Sequence, residues 1–560
     1  MKLRTSYFDG TVLKKNITRF APVWGLYSAV LLMLFMVAVD LDSKGMRTAS
    51  NLAETISGFA VGNCIYAFAV AQLLWGDLYN SRMCNALHAL PLRREGWFLT
   101  GISAGLLFSL VPNGLFALAM GALCGELWPV ALLWLGAVTL QYLCFFGLAT
   151  LSAFLSGSRF AAGLLYGIMN FFAMIAYFLL DELYLPNLPS IILRNEHFVL
   201  FTPVVQMAEN YDIVQVSWDY DLGAYRNAIY RLGEGWGYTG ICAGLGVIAL
   251  GLALLCYRKR HLECAGDLVA VKPLEPVVLG IYTLCVTAAC YGFLTLFWGY
   301  VETIYTVIGL FIGFFTGRML LERQVRVFRK KNLLAFLLVA VLFYGSIGAA
   351  AWDLLGIVSW VPKAEKVASV SVSTGGSYYY QENGITLENQ EDIEAVIAIQ
   401  REGMKHDRWD GVDYTVRLQL TYEMENGMRR SREYAIPTGT EAGKTLKAYL
   451  SSPEAVLEEL QYMGDFIRAE FYDPGIEIGI EITDAAELAA LQDAILADCA
   501  AGKMAQDWNF YRDAEEMYYM SLQFKTPEGI HYYKELRFWD GCTNIMDWVA
   551  RQDFAFTKYE

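Results

Sequence analysis

Residues 97–121 read WFLTGISAGLLFSLVPNGLFALAMG, a run of 25 residues that contains no charged side chain. An α-helix rises about 1.5 Å per residue, so a helix of this length crosses the roughly 30 Å hydrocarbon core of a bilayer. Arg93 and Arg94 stand just before the run, where basic side chains meet lipid headgroups. The stretch therefore predicts a membrane-spanning helix with a basic flank.

The same pattern recurs as far as residue 355 and predicts an integral membrane protein with nine spans. The apolar runs lie at residues 20–39, 56–75, 97–121, 130–152, 161–180, 236–256, 277–298, 305–321 and 333–355. Every second gap is basic, and the basic residues there are Lys14, Lys15, Arg19, Arg82, Arg93, Arg94, Arg258, Lys259, Arg260 and those from Arg323 to Lys331. Basic loops stay in the cytoplasm, so the N-terminus is predicted to be cytoplasmic and the chain after residue 361 extracytoplasmic.

Composition divides the chain in the same way. Hydrophobic residues make up 56% of the 560 residues, and the mean hydropathy of +0.35 is typical of a membrane protein. The net charge of −14 is concentrated in residues 361–560, which hold 19 basic and 36 acidic side chains. An acidic domain without a basic stripe argues against nucleic acid as a partner. Most of the eleven cysteines lie in or beside apolar runs, and only Cys499 and Cys542 remain as a candidate disulfide.

Two short amphipathic segments are predicted on the cytoplasmic side. In residues 5–19, Phe8 and Val12 recur at helical spacing against Lys15, which indicates a helix in the membrane interface or, alternatively, an extension of the first span. The gap between the second and third spans, residues 77–95, reads DLYNSRMCNALHALPLRRE. Its apolar residues would line one side of a short helix that ends before a proline: Leu78, Met83, Leu87 and Leu90. Such a helix either docks on a protein partner or rests on the membrane surface.

These segments resemble permease subunits of ABC-2-type ABC exporters of Gram-positive bacteria. The stretch NALHALPLRRE is similar to the family's cytoplasmic helix and the opening of its third span, and YRKRHLECAGD, at residues 257–267, is similar to a pattern that follows the sixth span. The resemblance covers about residues 1–360. This chain departs from the six-span pattern by three added spans and a large domain. The implied organisation is an interfacial helix (1–19), a six-span permease core (20–256), three additional spans (257–360) and an extracytoplasmic acidic α+β domain (361–560).

The resemblance also implies partners and site residues. The expected partners are a cytoplasmic ABC ATPase subunit, which carries the ATP and Mg, a second permease copy or paralogue, and the lipid bilayer of a bacterial plasma membrane. Coupling to the ATPase is expected at Arg82, Met83, Leu87, Leu90, Arg93 and Arg94, supported by the interfacial helix at Phe8, Val12 and Lys15. The acidic gap 181–234 contains an interrupted apolar piece, residues 188–205, which would form re-entrant helices at an outer gate or a plain surface lid.

No chemistry of the chain's own is predicted. The nearest approach to a phosphate-binding loop, TGTEAGKT at residues 438–445, has the wrong glycine spacing and fits a turn before a short helix. No hydrolase motif or metal-ligand spacing occurs, so the chain is expected to be no enzyme and to hold no metal or cofactor. The polar residues within the spans are uncharged amides, which more often join helices than bind ligands: Gln72, Asn113, Gln141 and Asn170. An ion-coupled carrier is therefore disfavoured.

The tail contains an internal repeat of a helix followed by a β-hairpin. The first helix starts at Glu391 and leads to a hairpin with an Asn-Gly turn at Asn426, a strong hairpin signal. The second starts at Asp484 and leads to a looser turn near Glu528. The sequence thus favours a permease subunit that borrows its ATPase. The alternative is a membrane-anchored sensor of an envelope ligand such as a peptide antibiotic.

Overall fold

The computed structural model of the chain describes residues 8–39, 46–88, 93–123, 127–188, 190–191, 196–209, 214–219, 224–230, 235–259, 275–299, 302–374, 385–405, 415–452, 464–471, 480–504, 517–525 and 531–552. The chain divides into two compact units. The first comprises Met1–Leu183 and Arg194–Gly345, and the second comprises Tyr184–Leu193 and Ser346–Glu560. The second unit therefore includes a short segment from between the fifth and sixth spans.

The first unit is mainly helical. Its helices are α1 (Gly10–Arg19), α2 (Ala21–Ala38), α3 (Met46–Leu74), α4 (Ser81–His88), α5 (Arg94–Leu123), α6 (Trp128–Leu155), α7 (Arg159–Leu183), α8 (Glu196–Leu200), α9 (Pro203–Glu209), α10 (Gly235–Lys259), α11 (Glu275–Trp298), α12 (Glu302–Glu322) and α13 (Lys330–Ala351), whose last residues, from Ser346 on, belong to the second unit. Among the described residues, nine of these helices are long and apolar enough to cross a membrane, namely α2, α3, α5, α6, α7, α10, α11, α12 and α13. The predicted helical polytopic class agrees with this architecture.

Glycines set the closest helix crossings in this unit. A Cβ on Gly246 of α10 would lie 2.5 Å from the backbone oxygen of Leu143 in α6, and one on Gly147 of α6 would lie 2.2 Å from the oxygen of Gly246. Helix α12 meets α11 in the same way, because a Cβ on Gly309 would lie 2.7 Å from the Cα of Thr287. Small residues allow such backbone contact between helices in a membrane.

Two of the four amides within the spans join helices, as predicted, namely Asn113 and Gln141. The Tyr27 hydroxyl of α2 donates to Asn113 Oδ1 of α5 at 2.8 Å, and Gln141 Nε2 of α6 donates to the Ile56 carbonyl of α3 at 3.2 Å. Asn170 donates within its own helix, to the carbonyl one turn earlier. The amide of Gln72 is buried and has no hydrogen-bond partner among the described residues.

The ninth helix begins and ends a few residues earlier than the predicted span. The apolar sequence continues to residue 355, but α13 ends at Ala351, and Asp353 takes a positive φ of 47°. The Asp353 carboxylate accepts hydrogen bonds from the backbone N–H groups of Ile357, Val358 and Ser359 at 2.5 to 2.9 Å. These bonds fix a turn where apolarity alone predicted more helix.

Residues 196–209 contain the two short helices α8 and α9. Helix α9 packs against the first unit's core, with Val204 and Met207 buried, whereas Phe201 between the helices is 73% exposed. An antiparallel hairpin follows, formed by β1 (Val214–Asp219) and β2 (Ala224–Tyr230). Two short helices therefore overlap the end of the predicted piece 188–205, and both interpretations of that piece, re-entrant helices or a surface lid, stay predictions.

The tail contains two sheets with the same antiparallel strand arrangement. The first is built from β3 (Val367–Thr374), β4 (Ile385–Leu387), β5 (Thr415–Met424) and β6 (Arg429–Pro437) in the order β4-β3-β5-β6, with α14 (Gln390–Gly403) and α15 (Glu441–Leu450). The second is built from β7 (Asp465–Phe471), β8 (Ile480–Ile482), β9 (Met517–Lys525) and β10 (His531–Trp539) in the order β8-β7-β9-β10, with α16 (Ala485–Ala500) and α17 (Thr543–Arg551). Both predicted helix-and-hairpin pairs are present.

The two sheets also agree in register. Ser371 on β3 stands opposite Thr386 and Thr421, and at the corresponding place in the second sheet Glu470 on β7 stands opposite Glu481 and Ser521. A register shift follows the first residues of β3, and one occurs at the matching position of β7, between Phe466 and Arg468. The sequence predicted both hairpins and the short helix that follows the glycine-rich stretch, but not the closing helix α17 of the second sheet.

Each sheet has its own core against its helices. Val370 and Leu418 are fully buried with Ile393 of α14, whereas Leu522 and Phe538 are buried with Leu491 of α16. The glycine-rich stretch at residues 438–445 is a helix start, as predicted: Thr440 caps α15, and its hydroxyl accepts from the Gly443 N–H at 3.1 Å. Cys499 and Cys542 are buried free thiols, so the candidate disulfide is not formed.

Candidate coupling site

Of the predicted coupling residues, Arg82, Met83, Arg93 and Arg94 are described with their side chains, in a region where α1, the loop after α3, the start of α5 and the end of α10 come together. Three polar contacts join these elements. Arg19 of α1 forms an ion pair with Asp77 at 3.1 Å, Arg258 of α10 forms one with Glu95 of α5 at 3.1 Å, and the Asp9 N–H donates to the Thr100 hydroxyl of α5 at 3.2 Å. We call this group of elements the coupling site.

Helix α1 is a separate element and not an extension of the first span. Asp9 caps it by accepting from the N–H groups of Thr11 and Val12 at 2.8 and 3.1 Å, and the chain turns at Phe20 before α2 begins. Its apolar side contacts the helical core through Leu13 and Ile17. Phe8 is 46% exposed, Val12 is half-buried and Lys15 is exposed, so α1 presents cations outward.

The loop after α3 contains two elements where the sequence predicted one helix. Gly76–Tyr79 forms a 3₁₀ turn that places Leu78 in the core, 1% exposed, so Leu78 does not belong to the amphipathic helix. Asn80 then caps α4 by accepting from the N–H groups of Arg82 and Met83 at 3.0 and 3.4 Å. This cap separates the turn from α4, because the Asn80 side chain accepts from N–H groups that would bond to backbone carbonyls in a continuous helix.

Helix α4 has one buried and one exposed side. Cys84 is 3% exposed and faces the core, whereas Met83 is 43% exposed and Arg82 is exposed. The side chain of Leu87 and the whole of Leu90 lie outside the described residues, so their predicted contacts stay predictions. The exposed side of α4 combines the apolar Met83 with the cation of Arg82, a combination suited to binding another protein.

Arg94 binds the end of α10, a role that the sequence did not indicate. It was predicted to meet lipid headgroups, but its guanidinium donates to the carbonyls of Tyr257 and Arg258 at 3.1 and 3.3 Å and lies 5.6 Å from the Tyr257 ring centre. A cation at a helix C-terminus satisfies carbonyls that lack an intrahelical partner and opposes the negative end of the dipole. Arg94 therefore ties α5 to the end of α10, while Arg93 is exposed beside it.

An aromatic cluster lies behind these polar contacts. Trp75 is fully buried, and its ring centre lies 5.0 Å from those of Trp97 and Phe154, while Tyr257 lies 5.0 Å from Phe154. Trp75 Nε1 also donates to the Thr150 hydroxyl of α6 at 3.3 Å. Because interlocked rings resist local repacking, displacement of α5 would be passed to α6, to α10 and to the chain at the end of α3 together.

A second arrangement lies in the second unit, around the edge strand β6. The Trp360 ring has the Arg430 guanidinium 4.6 Å and the Arg432 guanidinium 5.3 Å from its centre. Arg432 also donates to the Ile357 carbonyl at 3.2 Å, and Gln400 of α14 donates to the Trp360 carbonyl at 3.0 Å. The chain that leaves the ninth span is thus bound to the first sheet. We call residues 353–360 the strap.

The segment from between the fifth and sixth spans joins the same edge. The N–H of Glu433 in β6 donates to the Ser190 carbonyl at 3.1 Å, and the hydroxyls of Tyr184 and Ser346 are 2.6 Å apart. Ser190 is 3% exposed. Tyr184 follows directly on the last residue of α7, so segments that continue two different spans are joined to the first sheet within the second unit.

Two charged residues, Asp353 of the strap and Arg432 of β6, have shifted pKa values. Slight burial would raise the pKa of Asp353, but hydrogen bonds from the Ser359 hydroxyl and from the N–H groups of Val358, Ser359 and Ile357 lower its pKa to about 2. Burial lowers the pKa of Arg432 from its ordinary value. Asp353 therefore stays ionised across the physiological range, and the strap keeps its three backbone hydrogen bonds.

Among the described residues, no group of three His, Cys, Asp or Glu side chains lies close enough to bind a metal ion. Comparison of the chain with protein-family models, with curated proteins and with solved structures found no match in any of the three.

Proposed function

We propose that the chain is the permease subunit of an ABC-type exporter, coupling ATP hydrolysis by a separate ATPase subunit to movement of a substrate across the membrane. The observation that supports this proposal best is the coupling site. A capped, amphipathic α4 with Arg82 and Met83 exposed contacts the 3₁₀ turn that begins directly after Trp75, a member of the aromatic cluster that connects several spans. A partner that pushes on α4 would move those spans together.

The proposed mechanism is alternating access. Closure of two ATP-loaded ATPase subunits displaces α4, and the ion pairs of Arg19 with Asp77 and of Arg258 with Glu95 transmit the displacement to α1, α5 and α10. The far ends of the spans then open or close an outer gate, to which α8 and α9 belong. A second permease copy or paralogue completes the translocation path, and the Mg and ATP stay on the ATPase.

The test is capture of the ATPase by a tagged chain from native membranes. Replacement Leu87→Asp with Leu90→Asp is expected to remove the ATPase from the captured complex, because a carboxylate does not enter an apolar groove without a partner. Met428→Asp is the matched control, since Met428 is a 48% exposed apolar residue of the tail. Unchanged recovery of the ATPase with a correctly inserted double variant would refute the assignment of this loop.

The duplicated tail and its strap favour a second candidate function, a sensor of an envelope ligand. The matching registers of the two sheets support duplication of one ββαββα unit, an arrangement with two similar open faces. Binding on those faces would act on the chain after the fifth and ninth spans through β6, where Ser190 and Trp360 are attached. The output would again require a partner subunit.

The two functions differ in what a ligand does. In a sensor, a peptide antibiotic added to the purified complex changes ATP turnover, and Trp360→Ala removes the response while basal turnover and ATPase capture persist. In an exporter whose tail is passive, Trp360→Ala leaves ligand-stimulated turnover unchanged. Lys444→Ala, in an exposed ion pair of the tail, is the control for both outcomes.

A further inference from the structure

The loop between α12 and α13 has a charge density that the other described loops lack. Residues 323–331 contain five cations, Arg323, Arg326, Arg329, Lys330 and Lys331, and all five are exposed. Glu322, the acidic residue directly before the loop, accepts a hydrogen bond from the Asn332 amide at 3.1 Å. The loop joins two candidate spans, so these charges lie at a membrane surface whichever side it faces.

The loop has a fixed shape. Val327 at its centre is fully buried and packs with Leu279 and Phe314. Asn332 Nδ2 donates to the Val327 carbonyl at 2.8 Å, and the Arg329 guanidinium donates to the Gln324 amide oxygen at 3.3 Å. The backbone is thus held from inside while the cations point outward, and binding an anion there requires little ordering.

Apolar side chains extend from the same loop along the spans. The Phe328 ring is 63% exposed and stacks on Phe315 of α12, with ring centres 4.6 Å apart. Phe315 precedes the last residue of α12 by seven positions, which places this stack about 10 Å below the end of the helix. Phe311 and Leu338 continue the exposed apolar surface at 44% and 61% exposure. Cations above an apolar surface match the two parts of a phospholipid.

One further cation lies between these layers. Arg318 stands on the same face of α12 as Phe311 and Phe315, by helical spacing, and its guanidinium lies 5.6 Å from the Phe314 ring centre. Its Nε is buried and has no hydrogen-bond partner among the described residues. A buried guanidinium nitrogen without an acceptor is unfavourable, and a phosphate oxygen would satisfy it.

We propose that the α12–α13 loop is a binding site for an anionic phospholipid. The headgroup phosphate contacts Arg326, Lys330 and Lys331, with Arg318 below, and an acyl chain lies on Phe328 and Phe311. A free phosphate ion would use the cations but not the apolar surface. An acidic protein surface would use the cations but could not enter the bilayer beside Phe328.

The test measures the unfolding temperature of the purified full-length chain in detergent, with phosphatidylglycerol, phosphatidylcholine or glycerol 3-phosphate added. Phosphatidylglycerol alone is expected to raise it, because a ligand that binds only the folded state stabilises that state. The variant Arg326→Gln/Lys330→Gln/Lys331→Gln should weaken the apparent affinity by about 100-fold, since each basic side chain near an anionic surface contributes about a factor of five. Native mass spectrometry should show the lipid lost from this variant.

Three comparisons make the outcome decisive. The charge-preserving variant Arg326→Lys/Lys330→Arg/Lys331→Arg should restore the response, and the matched tail variant Arg417→Gln/Arg429→Gln/Lys444→Gln should not alter it. Phe328→Ser should weaken the response to phosphatidylglycerol while keeping all charges. Equal stabilisation by glycerol 3-phosphate would indicate a site for soluble anions. Equal stabilisation by phosphatidylcholine would indicate a site that any phospholipid fills. An unchanged response in the triple glutamine variant would exclude this loop as the binding site. Each of these results overturns the proposal.

Discussion

At the scale of single residues, the absence of a side chain determines how closely two spans approach. Gly246 of α10 faces the backbone of α6, and any Cβ there would overlap Leu143 and Cys144. Gly244, two residues earlier, has no atom within 4 Å of a Cβ position and faces outward. Both residues look alike in the sequence, so only the packing distinguishes them.

This difference gives a matched pair of substitutions. Gly246→Ala is expected to lower the unfolding midpoint of the purified chain by several degrees, because overpacking against backbone costs about 1–3 kcal/mol. Gly244→Ala should leave the midpoint unchanged or raise it slightly, since alanine favours helix over glycine. Thermal unfolding in detergent would measure both. Equal effects of the two substitutions would contradict the observed crossing of α6 and α10.

Asp353 shows a residue-scale effect of charge. Its pKa falls from the ordinary 3.8 to about 2, so its contribution to folding is fully present above pH 3.8 and is lost as the pH falls through about 2. Asp353→Asn is expected to speed amide exchange at Ile357, Val358 and Ser359 at neutral pH. The native chain should keep their protection down to about pH 4. Identical exchange in both proteins would show that the carboxylate does not hold the strap.

At the scale of elements, the glycine-rich stretch before α15 has a structural role. A Cβ on Gly443 would lie 2.5 Å from the Pro437 carbonyl oxygen, whereas Gly439 has nothing within 4 Å. Lys444, which would be the phosphate-binding lysine of a nucleotide loop, forms an exposed ion pair with Glu441 at 2.7 Å. The stretch therefore starts a helix and packs it on the first sheet.

Any effect of substitutions in this stretch is expected on the stability of the first sheet and not on the binding of ATP. Gly443→Ala is expected to destabilise the first sheet, with faster proteolysis of residues 367–450, because the helix cannot withdraw from β6 without losing Leu446 and Leu450 from the core. Gly439→Ala is the control and should resemble the native chain. Lys444→Ala should change neither proteolysis nor ATP binding by the purified chain. A loss of ATP binding in Lys444→Ala would restore the nucleotide interpretation.

At the scale of the whole molecule, the charge pattern makes a prediction about sidedness. If all nine described apolar helices cross the membrane, Arg82 and Met428 lie on opposite sides, and the basic loops predict that Arg82 is the cytoplasmic one. Met428→Cys should react with a membrane-impermeant maleimide in intact cells, whereas Arg82→Cys should react only after permeabilisation. The background is set by the parent chain, whose described cysteines are buried or half-buried. Labelling of both positions from one side would overturn the proposed orientation.

The candidate site was only partly predictable from the sequence. Helical spacing indicated α1 and α4, because one-dimensional periodicity records which side of a helix is apolar. It misplaced Leu78, which a 3₁₀ turn and the Asn80 cap move into the core. The sequence also predicted that Arg94 contacts lipid headgroups, whereas its guanidinium donates hydrogen bonds to the carbonyls of Tyr257 and Arg258. Those carbonyls are more than 160 residues away in the chain, a distance that no local pattern spans.

The sequence by itself determined the number of apolar spans and the two hairpins of the tail, because span length, β alternation and turn chemistry are local properties of the chain. Tertiary structure alone decided which glycines contact backbone, which cations cap helices, and that the edge strand β6 binds both Ser190 and Trp360. Those outcomes depend on contacts between residues far apart in sequence, and burial and hydrogen bonding, not local propensity, select among them.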